Sequence, residues 1–212
     1  TKGFAIGAAG LTVISILATF KEVAQATLGT EVIFDLMNPL VMLGALVGVA
    51  MPAVFSAQLM LGVGRNAERM IEEVRRQFRE IPGLIEGKEG VKPEYGKCVD
   101  IATAGALKEL LPATLTAIVV TLLIGFVFGI EALGGYLAGC IFSGLVFALL
   151  MSNAGGLWDN AKKYIESGQL EGEGKGGDAH AAAVIGDTVG DPFKDTSGPA
   201  MNILIRDGAG TK

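Results

Sequence analysis

Charge is scarce in this sequence. Only 18% of its 212 residues are Asp, Glu, Lys or Arg, against about 25% in a soluble globular domain. There is no basic excess either. The net charge is -5 and the pI about 5.0, which excludes a basic nucleic-acid-binding domain. Cysteine is limited to Cys98, in a charged segment, and Cys140, in an apolar run, so a disulfide is not the expected state. The one histidine, His180, reads as an incidental loop residue. No secretory signal is visible at Thr1-Lys2-Gly3-Phe4, which opens inside helical sequence and is read as a cut end. What abounds is apolar and small: 50% hydrophobic residues and 31 glycines, with a mean hydropathy of +0.50. The glycines lack the every-third-residue repeat of a collagen triple helix, and such hydrophobicity excludes a disordered chain. Glycine within long apolar runs is the composition of close-packed membrane helices.

Four apolar stretches stand out: Gly3 to Phe20, Leu36 to Gly64 (interrupted by Pro39 and Pro52), Leu110 to Ile130, and Ala132 to Ser152. About 20 such residues cross the hydrocarbon core of a bilayer. A fifth, more polar segment follows from residue 182 to 206. The connections differ in charge. Phe20 to Asp35 contributes only Lys21 and the Gly129-Ile130-Glu131 turn contributes no cation, whereas Arg65 to Lys108 carries nine and Lys162, Lys163 and Lys175 follow Ser152. Lysine and arginine remain on the cytoplasmic side. Five alternating spans put both basic segments on that side. The expected fold is therefore an all-α multi-pass membrane protein with about five transmembrane helices. Its segments are two helices with a short outer loop (1–64), a cytoplasmic loop and helix extension (65–109), a transmembrane hairpin (110–153), a cytoplasmic loop (154–181), a final helix (182–206) and an atypical tail (207–212).

Ala67 to Arg79 has helical spacing, with Met70, Val74 and Phe78 on one face and Glu72 four residues before Arg76. Pro82-Gly83 ends it, so it reads as a cytoplasmic extension of the second span, with a membrane-surface amphipathic helix as the rival reading, disfavoured by the thin apolar face. Gly168 to Gly177 (GQLEGEGKGG) is a flexible linker without the Gly-Lys-Ser/Thr ending of a P-loop. Pro192 and Pro199 could break the final helix.

Chemistry concentrates in that final helix. Asp187, Asp191, Lys194 and Asp195 stand at i, i+4, i+7 and i+8 and are expected on one face over about two turns. Ionisable groups leading into a membrane segment are functional unless paired. Carboxylate oxygens suit Mg²⁺, which is commonly shared with substrate phosphates. An interleaved ammonium suits a polyanion arriving with its metal. Asp159, Lys162 and Lys163 in GGLWDNAKKYIE repeat the mixture. The bland reading of Asp159 and Lys162 is a surface i,i+3 pair. Two other readings compete with a polyanion site: a non-hydrolytic divalent-cation carrier or channel using the acidic stripe, and a packing scaffold pairing the aspartates with loop arginines. A cation path should exclude Lys162 and Lys194.

GDTVGDPFKDTSGP (Gly186 to Pro199), NAGGLWDNAKKYIE (Asn153 to Glu166), VRRQFREIPG (Val74 to Gly83) and KGFAIG (Lys2 to Gly7) resemble the membrane-integral, ion-pumping inorganic pyrophosphatases. The resemblance covers nearly the whole chain. It implies a homodimer of sixteen-helix subunits, of which this chain supplies the last five helices. Magnesium pyrophosphate would bind at the cytoplasmic end of an inner helix ring, and its hydrolysis would drive H⁺ or Na⁺ outward.

The resemblance assigns roles residue by residue. Asp159 and Asp191 match metal-binding aspartates, Lys162 and Lys194 match pyrophosphate-contacting lysines, and Asp195 matches an aspartate that holds the attacking water. Asp187 takes a supporting metal role. Arg206 stands where an ion-gate lysine is expected, and arginine differs in shape and in reluctance to deprotonate. Thr1 before Lys2-Gly3 resembles the potassium-independent subclass, generally proton pumps. The aspartate-rich motif of earlier helices is absent, so the chain is expected to be a C-terminal piece, inactive alone and dependent on the missing N-terminal helices. The implied cofactor is Mg²⁺, and the implied partners are pyrophosphate, membrane lipid and a second subunit, with no nucleic acid. The implied location is the plasma membrane of a prokaryote or an acidic-organelle membrane of a eukaryote.

Overall fold

The computed structural model describes residues 2–208, with side chains from 3 to 204. All regular structure among the described residues is helical: α1 (Lys2–Leu28), α2 (Pro39–Glu80), α3 (Tyr95–Leu123), a π-turn (Ile124–Phe128), α4 (Gly129–Glu166), α5 (Asp178–Pro192), a second π-turn (Phe193–Ser197) and α6 (Gly198–Gly208). Three helical stretches, Gly3–Leu28, Pro39–Glu80 and Tyr95–Glu166, are long and apolar enough to cross a membrane. The third turns at Gly129, whose φ of +88° favours glycine. Beyond the turn, the Thr121 and Tyr136 hydroxyls approach to 3.2 Å. The expected loop over 154–181 is mostly helix: α4 runs to Glu166 and α5 starts at Asp178, leaving turns only between them.

The chain divides into two compact units, one of residues 1–57 and 116–212, the other of residues 58–115. In the first, α2 and α4 approach closely because glycines face backbone on both sides. A methyl at Gly44 or Gly48 would collide with the Ala132 or Tyr136 carbonyl, and one at Gly135 or Gly139 with the Val41 or Ala45 carbonyl. Two reciprocal small-xxx-small faces thus meet, the arrangement that lets helices gain dispersion contact where lipid offers no hydrophobic drive. The Ser143 hydroxyl donates to the Val49 carbonyl at 2.7 Å, and the Asn38 amide donates to Glu131 at 2.8 Å. Around this crossing Met51, Ile124, Ala132, Tyr136, Leu137 and Cys140 form a buried cluster.

The second unit is held by polar contacts. Glu109 accepts from Arg65 at 2.5 Å and lies 3.5 Å from Arg69. Gln77, only 2% exposed, accepts from the Glu94 backbone N–H at 2.8 Å and donates to Glu73 at 2.8 Å, closing the 81–94 connection onto α2. Arg76 pairs with Glu73, Glu80 and Glu94. The helical extension predicted over Ala67 to Arg79 therefore forms, but the partner of Arg76 is not Glu72. Glu73 offers two oxygens to the guanidinium fork, at 2.9 and 2.7 Å, a bidentate geometry, and the i,i+4 contact that Arg76 makes is to Glu80 on the following turn. Lys97 and Arg76 hold the Glu94 carboxyl below its ordinary range.

Candidate functional site

The site begins with a glycine contact. Gly155 on α4 lies against Gly190 on α5: a Cβ on Gly155 would strike the Gly190 carbonyl and sit 2.8 Å from the Lys194 Cβ, and a Cβ on Gly190 would lie 3.1 Å from the Gly155 Cα. Trp158 packs beside both Gly186 and Gly190, and its ring lies 5.9 Å from that of Phe193. With no side chain at either glycine, the helices approach closely enough for side chains one or two turns further on to meet.

Those side chains are the predicted ones. Lys162 on α4 pairs with Asp187 on α5, and Lys194 reaches Asp159 at 3.0 Å, Asp191 at 2.7 Å and Asp187 at 3.4 Å. Asp187 is 5% exposed, so its charge is tolerated through two ammonium partners. The i,i+3 pairing of Asp159 and Lys162 is loose, at 4.0 Å. Asp159 instead takes Lys163 at 2.8 Å along its own helix, while Lys162 crosses to α5. Two sequence segments thus form one cluster, with three carboxylates (Asp159, Asp187, Asp191) interleaved with three ammoniums (Lys162, Lys163, Lys194).

Asp195 is exposed at the position after Lys194, in the second π-turn. Within the predicted stripe, Lys194 contacts both Asp187 and Asp191. The two prolines do not break the helix. Pro192 supplies no N–H and Pro199 supplies none either, and between them the chain widens: the Phe193 N–H bonds the Gly190 carbonyl and the Gly198 N–H bonds the Phe193 carbonyl. A π-turn absorbs the extra residue without ending the helix.

His180 is not a loop residue. It lies in the first turn of α5, where its Nε2 stands 3.0 Å from Glu166 and its Nδ1 accepts from the Gly176 N–H at 3.2 Å. It thereby joins the end of α4, the linker and the start of α5. A single histidine in a glycine-rich stretch carried no periodic signal of that role. The Arg206 side chain and Thr1 lie outside the described residues, so the ion-gate and potassium-subclass expectations have no geometry.

The donor set suits a hard cation in its chemistry, since Asp159, Asp187 and Asp191 offer carboxylate oxygens. Among the described residues, however, no three Asp, Glu, His or Cys side chains converge as a metal site. The lysines stand between the carboxylates. Such a set fits a metal that arrives with an anion and is completed by other ligands, better than a resident metal held by this chain alone.

Comparison with known proteins agrees with the residue pattern. Residues 1–207 match the family model described as inorganic H⁺ pyrophosphatase. A Clostridium tetani protein is 55% identical over 205 residues, which are 97% of this chain and 29% of that protein. A K⁺-insensitive pyrophosphate-energised proton pump of Methanosarcina mazei is 50% identical over 206 residues, 97% of this chain and 30% of the pump. A K⁺-stimulated pyrophosphate-energised sodium pump of Thermotoga maritima is 46% identical over 211 residues, 97% of this chain and 29% of the pump. The chain thus spans about three-tenths of the length of these relatives.

Proposed function

The chain belongs to the inorganic H⁺ pyrophosphatase family, and from that premise we propose that it forms part of a membrane pump in which hydrolysis of magnesium pyrophosphate drives H⁺ or Na⁺ across the bilayer. The observation that carries this reading is the charge-balanced α4–α5 cluster. Its three carboxylates and three ammoniums satisfy one another. A diphosphate accompanied by Mg²⁺ can exchange with those pairs. Each ammonium that turns to a phosphate oxygen releases a carboxylate, and the released carboxylate can take a cation. A divalent-cation path would gain nothing from Lys162 and Lys194 at its centre, and the relatives named above are pyrophosphate-energised pumps.

In this reading Lys162 and Lys194 hold the phosphate oxygens, and Asp159 and Asp191, supported by Asp187, would hold Mg²⁺. When bound, Mg²⁺ would neutralise charge on the diphosphate. Asp195, exposed next to Lys194, orients the attacking water and accepts its proton as general base. Positioning and charge stabilisation carry most of phosphoryl transfer, so aspartates and lysines form a sufficient set. The remaining ligands and the ion-carrying acid belong to segments outside this chain. Arg206 occupies the ion-gate position in the same reading.

Five spans divide the described helices as α1, α2, α3, α4 and the α5–α6 pair, and lysine and arginine bias sets the 65–108 segment and the α4–α5 connection on the cytoplasmic side. The subunit has sixteen helices, pairs as a homodimer and resides in a plasma membrane or an acidic-organelle membrane. The test is Lys194→Ala in an intact subunit, made by substituting this chain for the matching 206-residue stretch of the Methanosarcina mazei pump. A KM for magnesium pyrophosphate raised about tenfold or more, the loss typical of a hydrogen-bonded charge, supports the reading. An unchanged KM removes Lys194 from the substrate site.

A further inference from the structure

The second π-turn carries both Lys194 and Asp195 and lies between two prolines. Pro192 at its start and Pro199 just beyond its end each lack an N–H, so the i→i−4 ladder is interrupted on both sides. Within it the bonding pattern is mixed, from an i→i−3 bond at Phe193 to an i→i−5 bond at Gly198. A change of register by one residue here would swing Lys194 away from Asp159 and Asp187.

One buried polar contact opposes that change. Ser197, the last residue of the π-turn, is 0% exposed, and its Oγ lies 2.6 Å from the Oγ of Ser56 on α2, itself 3% exposed. Ser197 also donates to the Met151 sulfur on α4 at 2.7 Å, and the Ser56 Oγ lies 3.3 Å from that sulfur. Two hydroxyl protons serve these contacts: one serine donates to the other, and the second donates to Met151. The π-turn is thereby tied at one point to both α2 and α4. Shifting it by one residue would carry Ser197 off this junction and leave the Ser56 hydroxyl with only its longer contact to Met151. Losing the 2.6 Å buried hydrogen bond between the two serines is unfavourable, so the junction favours one register.

We propose that Ser197, braced by Ser56 and Met151, is a positioning residue for the reaction. It fixes the register of the π-turn and so aims the Lys194 ammonium into the α4–α5 cluster. This rests on the substrate reading of that cluster. The brace touches no substrate and acts through Lys194.

The test uses the same intact pump with Ser197→Ala, Ser56→Ala, the double variant and Met151→Leu. Ser197→Ala should raise the KM for magnesium pyrophosphate about fivefold, the size of one buried hydrogen bond. Because Ser56 and Ser197 share that bond, the double variant should be no worse than Ser197→Ala alone. Met151→Leu keeps the volume and removes the acceptor, and should move KM in the same direction by less. A KM unchanged in all three single variants overturns the proposal, even if the unfolding midpoint falls, because that is the signature of a purely structural contact. Multiplying effects in the double variant also overturn it. If Ser197→Ala does not fold, Ser56→Ala and Met151→Leu decide: no KM change in either is a refutation. Lys194→Ala separates the two levels. Should it leave KM unchanged, the substrate reading fails; should it raise KM while the serine variants do not, only the brace fails.

Discussion

The glycine pair beneath the cluster can be tested by adding one methyl group. In Gly155→Ala the new Cβ would lie 2.8 Å from the Lys194 Cβ and 3.0 Å from its backbone N, besides striking the Gly190 carbonyl. Carbon atoms rest comfortably at about 3.5–4.0 Å, so α4 and α5 must separate by about 1 Å here. Overpacking of this kind costs about 1–3 kcal/mol. The functional effect should be larger than the stability effect. Lys194 spans from Asp191 at 2.7 Å to Asp159 at 3.0 Å, and a 1 Å displacement takes the cross-helix contact out of hydrogen-bond range. Misplacement of about that size can cost on the order of a hundredfold in rate. Gly156 is the internal control, since a Cβ there meets nothing within 4 Å. Pyrophosphate hydrolysis by the intact pump, with the unfolding midpoint followed in detergent, should show a large loss of kcat/KM in Gly155→Ala and near-normal turnover in Gly156→Ala. Equal behaviour of the two variants would refute the claim that the Gly155–Gly190 contact sets the site.

Asp195→Asn should bind substrate and lose turnover, as read by product formation beside retention of a diphosphate analogue; preserved hydrolysis would remove its water-orienting role. Arg206→Lys should alter the ratio of ions pumped to pyrophosphate hydrolysed, and an unmoved ratio would end the gate assignment. The 81–94 connection should respond to acid. Glu94 has a depressed folded-state pKa because Lys97 and Arg76 bind its charged form, so its contribution is present above the ordinary carboxylate range and is lost as pH falls through the depressed value. Hydrogen exchange across 81–94 should rise in that acidic window for the parent protein. In Glu94→Gln it should be raised already at neutral pH, and protection equal to the parent's there would contradict the assignment.

Much of this was legible in the residues. Runs such as Ala132 to Ser152 announce helices because they lack charge, and Asp187, Asp191 and Lys194 declare a shared face by spacing alone. That Asp159 and Lys162 would join them followed from resemblance, not from periodicity, since contacts between helices leave no trace in local spacing. The contact that assembles the cluster, Gly155 on Gly190, is invisible for the same reason: 31 glycines look alike until a neighbour's backbone is seen. The π-turn was missed because proline argues for a break, whereas a helix can instead widen around its missing donors. The contacts of His180 and Ser197 are not legible in the sequence because their partners lie 14 and 141 positions away. For Arg76 spacing offers several glutamates, and only the structure selects Glu73, Glu80 and Glu94 over Glu72.

The most direct test of the central claim exchanges charges without deleting them. Lys162→Asp combined with Asp187→Lys preserves the cross-helix ion pair while reversing which helix presents the ammonium and which the carboxylate. Titration of a non-hydrolysable diphosphate analogue with Mg²⁺ into the intact pump should then show binding lost in the swapped variant, with folding retained. Binding equal to that of the parent would mean that the cluster is packing between two helices and that the diphosphate docks elsewhere.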